Sequence, residues 1–276
     1  MDYEVEYNNR ARVSDHPAIF ERWAKSSAAF RGAAVAADLG VPYGPDPRQF
    51  LDIFWPAPDR QAPVALFIHG GYWQSLHPRD FSFAAAGCLA HGVALALAGY
   101  DLAPLVPVGT ILAQVRAATL TLYRLVGHPI AVSGHSAGGH LAAALAATSW
   151  RELDVDTPDD IVPAGIGISG VYDLEPLIAT QMNKALHLDA EEARRLSPVL
   201  WPLPPGRVFE TFAGGAESAE FLRQGRDLAA AWAARGARTA CHEVAGANHF
   251  TVVDALADPS SHMVRRLVEM AQSVAR

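Results

Sequence analysis

The sequence predicts an α/β fold: a mostly parallel central sheet with helices on both faces and a small lid inserted over one end. Three observations predict it. Short continuous apolar runs alternate with amphipathic segments along almost the whole chain, and several of those runs end in glycines. At 276 residues, 50% of them hydrophobic, the chain can bury one large core. One domain is expected over 1–276, with an N-terminal arm at 1–48 and a lid at about 174–205. The sequence contains no internal repeat and no low-complexity segment.

The elements justify themselves in chain order. The arm reads as partly helical from Pro17 to Phe30, and "GPDPRQF" is a turn-rich break before the first strand, "LDIFWP". "APVALFIHGG" is a continuous hydrophobic run, as expected of a strand buried on both faces, and "GVALALAGYD" is a second. "TILAQVRAATLTLYRL" then places apolar residues at helical spacing with Gln114, Arg116 and Arg124 outside. "HPIAVSGHS" is a strand, and "AGGHLAAALAATS" is a helix of small residues suited to close packing on a sheet. "VPAGIGISGVYD", "RVFETFAGG" and "ARTACHEVAG" are the remaining strands. Between the last two, "SAEFLRQGRDLAAAWAARG" is an amphipathic helix stopped by Gly236. Leu174 to Pro205 interrupts the alternation with a short charged helix between proline-rich loops.

Composition removes several function classes. Net charge is -7 with acids and bases interspersed, so no basic face exists for nucleic acid or anionic lipid. No apolar window is long enough for a membrane span, and "MDYEVEYNNRARVSDHPAIF" lacks the pattern of a signal peptide. A cytoplasmic, soluble protein is expected. Cys88 and Cys241 are read as buried free thiols, because they form no CxxC or Cys/His pattern. No metal motif, P-loop or GxGxxG after a first strand is present, so neither metal nor cofactor is expected.

In such a sheet, ligands bind at the carboxyl ends of the strands, and four of those ends carry unusual sequence. "GHSAG", Gly134 to Gly138, lies between a strand and a helix, the context a nucleophile elbow requires, and it makes Ser136 the candidate nucleophile. "HGGYW", His69 to Trp73, supplies glycines that let backbone N–H groups point at a developing oxyanion. The candidates for that hole are Gly70, Gly71, Tyr72 and Ala137, with the leading glycine left open. His69, His135 and His140 are read as structural. The base must come late in the chain: His242 lies in a strand pattern and His262 in a helix, which leaves His249 of "GANHF". The acid is expected just after "RVFETF", where "AGGAESAEF" offers Glu217 in the loop and Glu220 in the helix. Glu217 is preferred, Asp173 of "SGVYD" is the rival, and Glu220 is read as capping or solvating the helix.

Taken in order, "HGGYWQ", "YDLAP", "GHSAGGH", "SGVYDLEPL", "RRLSP", "AESAEFLRQ" and "NHF" resemble the kynurenine formamidase (arylformamidase) branch of the α/β-hydrolase fold, near the hormone-sensitive-lipase-like esterases. The resemblance runs from "YNNRARV" to "HFTVV". It puts the family's nucleophile, acid and histidine on Ser136, Glu217 and His249, and its oxyanion motif on His69 to Trp73. The family has aspartate at the acid position, so this chain departs there.

The resemblance implies hydrolysis of N-formyl-L-kynurenine to formate and kynurenine, a step of tryptophan catabolism. Tyr72, Trp73, Trp201 and Phe250 are the expected aryl-binding wall. The competing expectation is a carboxylesterase for small acyl or aryl esters, which would use the same three residues. A ligand-binding protein without activity is disfavoured because serine, histidine and oxyanion glycines are all intact. The only partner expected is the small-molecule substrate. The N-terminal arm has two readings, a cover over the site or a homodimer contact, and no pattern separates them.

Overall fold

The computed structural model describes residues 1–275. Its strands are β1 (Ala37–Pro42), β2 (Phe50–Phe54), β3 (Val64–Ile68), β4 (Ala94–Ala98), β5 (Ala131–His135), β6 (Ala164–Ile168), β7 (Val208–Gly214) and β8 (Arg238–Val244). They form one eight-stranded sheet in the order β1-β2-β4-β3-β5-β6-β7-β8. β1, β2 and β4 pair antiparallel, and every pair from β4 through β8 is parallel. The expected α/β-hydrolase architecture is therefore present.

The α-helices are α1 (Tyr3–Tyr7), α2 (Asn9–Arg12), α3 (His16–Ala33), α4 (Ala85–Leu89), α5 (Val108–Val126), α6 (Ala137–Ala146), α7 (Trp150–Leu153), α8 (Asn183–Leu186), α9 (Ala190–Arg195), α10 (Ala219–Ala233) and α11 (His262–Val274). The pleat of each strand sends successive side chains to opposite faces. Val64, Leu66 and Ile68 of β3 join a core with α5, α6 and α10, while Ala65 and Phe67 join one with α3, α4 and α11. Both faces of β3 are therefore covered, which is why its sequence is apolar without alternation.

The helix ends follow local chemistry. Ser218 caps α10 by accepting from the Phe221 N–H, and Gly127 ends α5 in a left-handed conformation at φ 74°. The arm holds more regular structure than its sequence suggested, since β1 pairs with β2 at the sheet edge. Pro78–Ala84, a 3₁₀ turn leading into α4, also escaped the sequence reading. Two side-chain expectations are corrected. Cys88 is buried but Cys241 is exposed, because β8 is the outermost strand of its edge and only half covered. Glu220 is buried at 2% exposure, where it accepts from Tyr7 Oη at 2.8 Å and pairs with Arg223 at 2.8 Å. It neither caps nor solvates its helix.

Candidate active site

The turn from β5 into α6 carries Ser136 at φ 58° and ψ -118°. Side chains other than glycine rarely occupy this region, and a neighbourhood that over-determines the backbone must hold it there. The neighbours are close. A Cβ on Gly134 would lie 2.1 Å from the Gly138 carbonyl oxygen, and one on Gly138 would lie 1.9 Å from the Ile68 oxygen. Both glycines are therefore steric requirements of the elbow. Ser136 N–H donates to the Ile168 carbonyl at 2.8 Å, which ties the elbow to the next strand.

A line of hydrogen bonds runs from this serine. Ser136 Oγ lies 3.1 Å from His249 Nε2, and His249 Nδ1 lies 2.7 Å from Glu217 Oε2. All three residues are buried, with Ser136 and His249 at 2% exposure and Glu217 at 8%. The Glu217 backbone N–H donates to the Gly214 carbonyl at 3.0 Å, so β7 ends in a tight turn that brings the carboxylate back over its own strand end. There Oε1 accepts from Gly214 N–H and from Ser169 Oγ, each at 2.5 Å. One carboxylate oxygen is thus pinned by two donors and the other is left for the imidazole. Asp173 does not join this line: its side chain accepts from Glu175 N–H and faces Arg223 at 3.8 Å.

Two further groups fix the imidazole. The Phe221 ring lies against it with centroids 4.4 Å apart. His135 donates from Nε2 to the His249 carbonyl at 2.7 Å, linking the elbow directly to the histidine loop. Burial, aided by nearby His249, pushes the His135 pKa down to about 3, so this ring stays neutral. Burial likewise lowers His69 to about 3, and its Nδ1–H donates to the Gly70 carbonyl at 2.8 Å while the ring stacks on Tyr100. The roles of Ser169 and Phe221 were not legible in the sequence: they lie in "SGVYDLEPL" and "AESAEFLRQ", whose spacing assigns neither of them any chemistry. Position at a strand end was the only signal for Ser169.

The "HGGYW" loop turns sharply, with positive φ at Gly71 (102°), Tyr72 (50°) and Trp73 (57°). Gly71 and Tyr72 line a cavity of about 400 Å³ that also opens onto Ser136 and His249. Ala137 is the first residue of α6, whose opening amides have no acceptor within the helix. Gly70 packs beneath the elbow, where an added Cβ would be 2.9 Å from Ser136 Cβ, and like Ala137 it is not among the residues that line the cavity.

The structure separates the four residues expected in the aryl wall. Tyr72 and Phe250 line the cavity. Trp73 does not: the left-handed turn sends successive side chains apart, and its indole is fully buried edge-on to His140 at 5.1 Å. Trp201 does not either, because the end of the insertion runs alongside α10, away from the strand ends. Its Nε1 donates to Arg195 O, and its own carbonyl accepts from Trp232 Nε1. The wall is completed instead by the insertion, through Gln181 and Met182, and by the N-terminal helices, through Tyr7, Asn9 and Phe20. Tyr7 holds this segment down: its Oη accepts from Gln224 Nε2 at 2.7 Å, and its carbonyl accepts from Tyr72 Oη at 2.6 Å. The N-terminal helices therefore cover one side of the cavity.

A buried serine hydroxyl beside an imidazole whose far nitrogen meets a fixed carboxylate can undergo acyl transfer without a metal. Among the described residues, no group of three or more His, Cys, Asp or Glu could hold a metal ion. No helix there is long and apolar enough to cross a membrane.

Comparison with known proteins agrees with this chemistry. Residues 51–194, just over half the chain, match the BD-FAE family model. Kynurenine formamidase of Salmo salar is 30% identical over 243 residues, covering 84% of this chain and 81% of that protein. Kynurenine formamidase of Danio rerio is 29% identical with the same coverage. A solved structure from Silicibacter sp. tm1040, provisionally described as a thioesterase, superposes with a TM-score of 0.81 at 33% identity, covering 96% of this chain and 98% of that one. An esterase from Pyrobaculum calidifontis shares the fold at a TM-score of 0.69 and 18% identity, covering 94% and 92%. With family model, relatives and fold in agreement, the chain belongs to the BD-FAE family and is a kynurenine formamidase-like α/β-hydrolase, a serine-hydrolase-type enzyme.

Proposed function

We propose that the enzyme cleaves an N-formyl arylamine of the N-formyl-L-kynurenine type to formate and the free amine, with Ser136, His249 and Glu217 as its catalytic residues. The observation that carries this reading is the hydrogen-bonded line from Glu217 through His249 to Ser136, opening on a small cavity walled by Tyr72, Phe20 and Phe250. Kinship to kynurenine formamidases supplies the substrate class.

The steps follow from the geometry. Ser136 Oγ attacks the formyl carbon while His249 Nε2 takes its proton. The imidazolium so formed is stabilised by Glu217, which accepts from Nδ1–H and fixes the tautomer. The oxyanion is held by backbone N–H groups of Gly71, Tyr72 and Ala137. His249 then gives the proton to the departing aryl nitrogen, the C–N bond breaks, and a formyl ester remains on Ser136. Water attacks this ester with His249 as base, formate leaves, and Ser136 recovers its proton.

A second reading is hydrolysis of small acyl or aryl esters, thioesters included, by the same three residues. It is favoured by the esterase and thioesterase descriptions among the structural neighbours. The deciding measurement compares kcat/KM on N-formylkynurenine with that on p-nitrophenyl acetate. The formamidase reading expects the larger value for the formamide, and a large preference for the ester replaces it with the second reading.

A further inference from the structure

The N-terminal wall of the cavity holds a polar group that neither the fold nor acyl transfer uses. Asn9, the first residue of α2, is 2% exposed and lines the same cavity as Ser136 and His249. Its Nδ2 donates to Tyr72 Oη at 3.4 Å, and its Oδ1 is buried with no hydrogen-bond partner. The neighbour sets the way this amide faces. Tyr72 Oη spends its own proton on the Tyr7 carbonyl at 2.6 Å, so it can only accept from Asn9, and the amide nitrogen must point at it. The oxygen is left without a partner, on a residue that lines the cavity. Buried acceptors are nearly always satisfied in proteins, so an orphan in the wall of the cavity that holds Ser136 points to a ligand contact.

We propose that Asn9 is a specificity-determining residue whose Oδ1 accepts a hydrogen bond from an N–H of the bound substrate, so that the cavity selects an N-acyl arylamine over the matching ester. The proposal rests on the formamidase reading and adds what the three catalytic residues cannot supply, since they attack either carbonyl alike. An anilide carries an N–H next to the carbon that Ser136 attacks. An ester carries only lone pairs at that position, and they would face the Asn9 oxygen without a proton between them. A site built to bond an N–H discriminates strongly against the analogue that lacks it. The arylamine product keeps N–H donors and so remains a ligand of the same oxygen.

Asn9→Leu, close in shape but apolar, and Asn9→Ala, a second variant should leucine pack poorly, test this. Each is compared with wild type in kcat/KM on formanilide and on p-nitrophenyl acetate, and in Ki for aniline and for toluene as competitive inhibitors of ester hydrolysis. The formanilide-to-ester ratio of kcat/KM is expected to fall about ten-fold, the loss of roughly one hydrogen bond, and the aniline Ki to rise by a similar factor relative to toluene. Equal losses on both substrates, or an unchanged aniline-to-toluene ratio, overturn the proposal. The inhibitor arm needs no amide turnover. If wild type cleaves only the ester, the formamidase reading falls, while the aniline result still decides whether Asn9 recognises an N–H.

Discussion

Replacing Glu217 by glutamine changes one oxygen for an NH₂ group and nearly nothing in size. The structure dictates which way the new amide faces. Gly214 N–H and Ser169 Oγ both donate to the Oε1 position at 2.5 Å, so an amide nitrogen placed there would meet a backbone donor it cannot satisfy. The NH₂ must take the Oε2 position, 2.7 Å from His249 Nδ1, and donate to it. His249 then carries its proton on Nε2, facing Ser136 Oγ at 3.1 Å, and cannot accept the serine proton. The wrong tautomer in a serine hydrolase lowers kcat about 10⁴-fold, which corresponds to roughly 5 kcal/mol of transition-state stabilisation. Steady-state kinetics of Glu217→Gln should therefore show kcat down by about 10³ to 10⁴ with KM within a few-fold of wild type. A kcat within ten-fold of wild type would refute the reasoning. So would the same loss in Asp173→Asn, which would move the acid to the preceding strand end.

Ser136→Ala should abolish turnover and leave the far-UV circular dichroism unchanged; residual turnover near wild type removes the nucleophile assignment. Stability should also depend on pH through three buried histidines. His69 and His135 are held near pKa 3 and His140 near 4 by burial, all below the value of about 6.5 expected in the unfolded chain. Below pH 6.5 the unfolded state therefore binds more protons. The stability is present above that pH and is lost toward pH 4, by about 1.4 kcal/mol per pH unit for each histidine. Urea unfolding at pH 7 and pH 5 checks this, and His140→Gln should flatten the loss by about a third; a flat profile in wild type counts against it.

How much was legible depended on whether a residue's environment was local. β3, β4 and β5 were readable because both faces are covered and the pattern needs no partner to interpret it. β1 was not, since "ADLGVP" contains glycine and proline and lies half exposed at the sheet edge, where pairing with β2 alone defines it. The positions of Ser136 and Glu217 followed from strand ends, and the elbow glycines are demanded by contacts within one turn. The fates of Trp73 and Trp201 were not legible, because positive φ in one loop and the path of the insertion decide which way an indole points. Asn9 and Tyr72 also escaped as a pair. They meet across 63 positions of chain, and no periodicity records such a meeting.

The docking of α1 and α2 over the strand ends divides the enzyme's labour along the chain. In the proposed mechanism, bond breaking rests on residues just after β5, β7 and β8, at the ends of packed strands. The shape of what is admitted is shared with a short N-terminal stretch held by a few side-chain contacts, Tyr7 chief among them. The two parts meet at Tyr72, whose hydroxyl donates to the Tyr7 carbonyl. Substitutions between Tyr3 and Arg12 that keep this bond are the ones expected to retune substrate choice and leave the reaction chemistry intact, which makes the cavity-facing side chains of that stretch the natural place to diversify when redirecting the enzyme to new acyl donors.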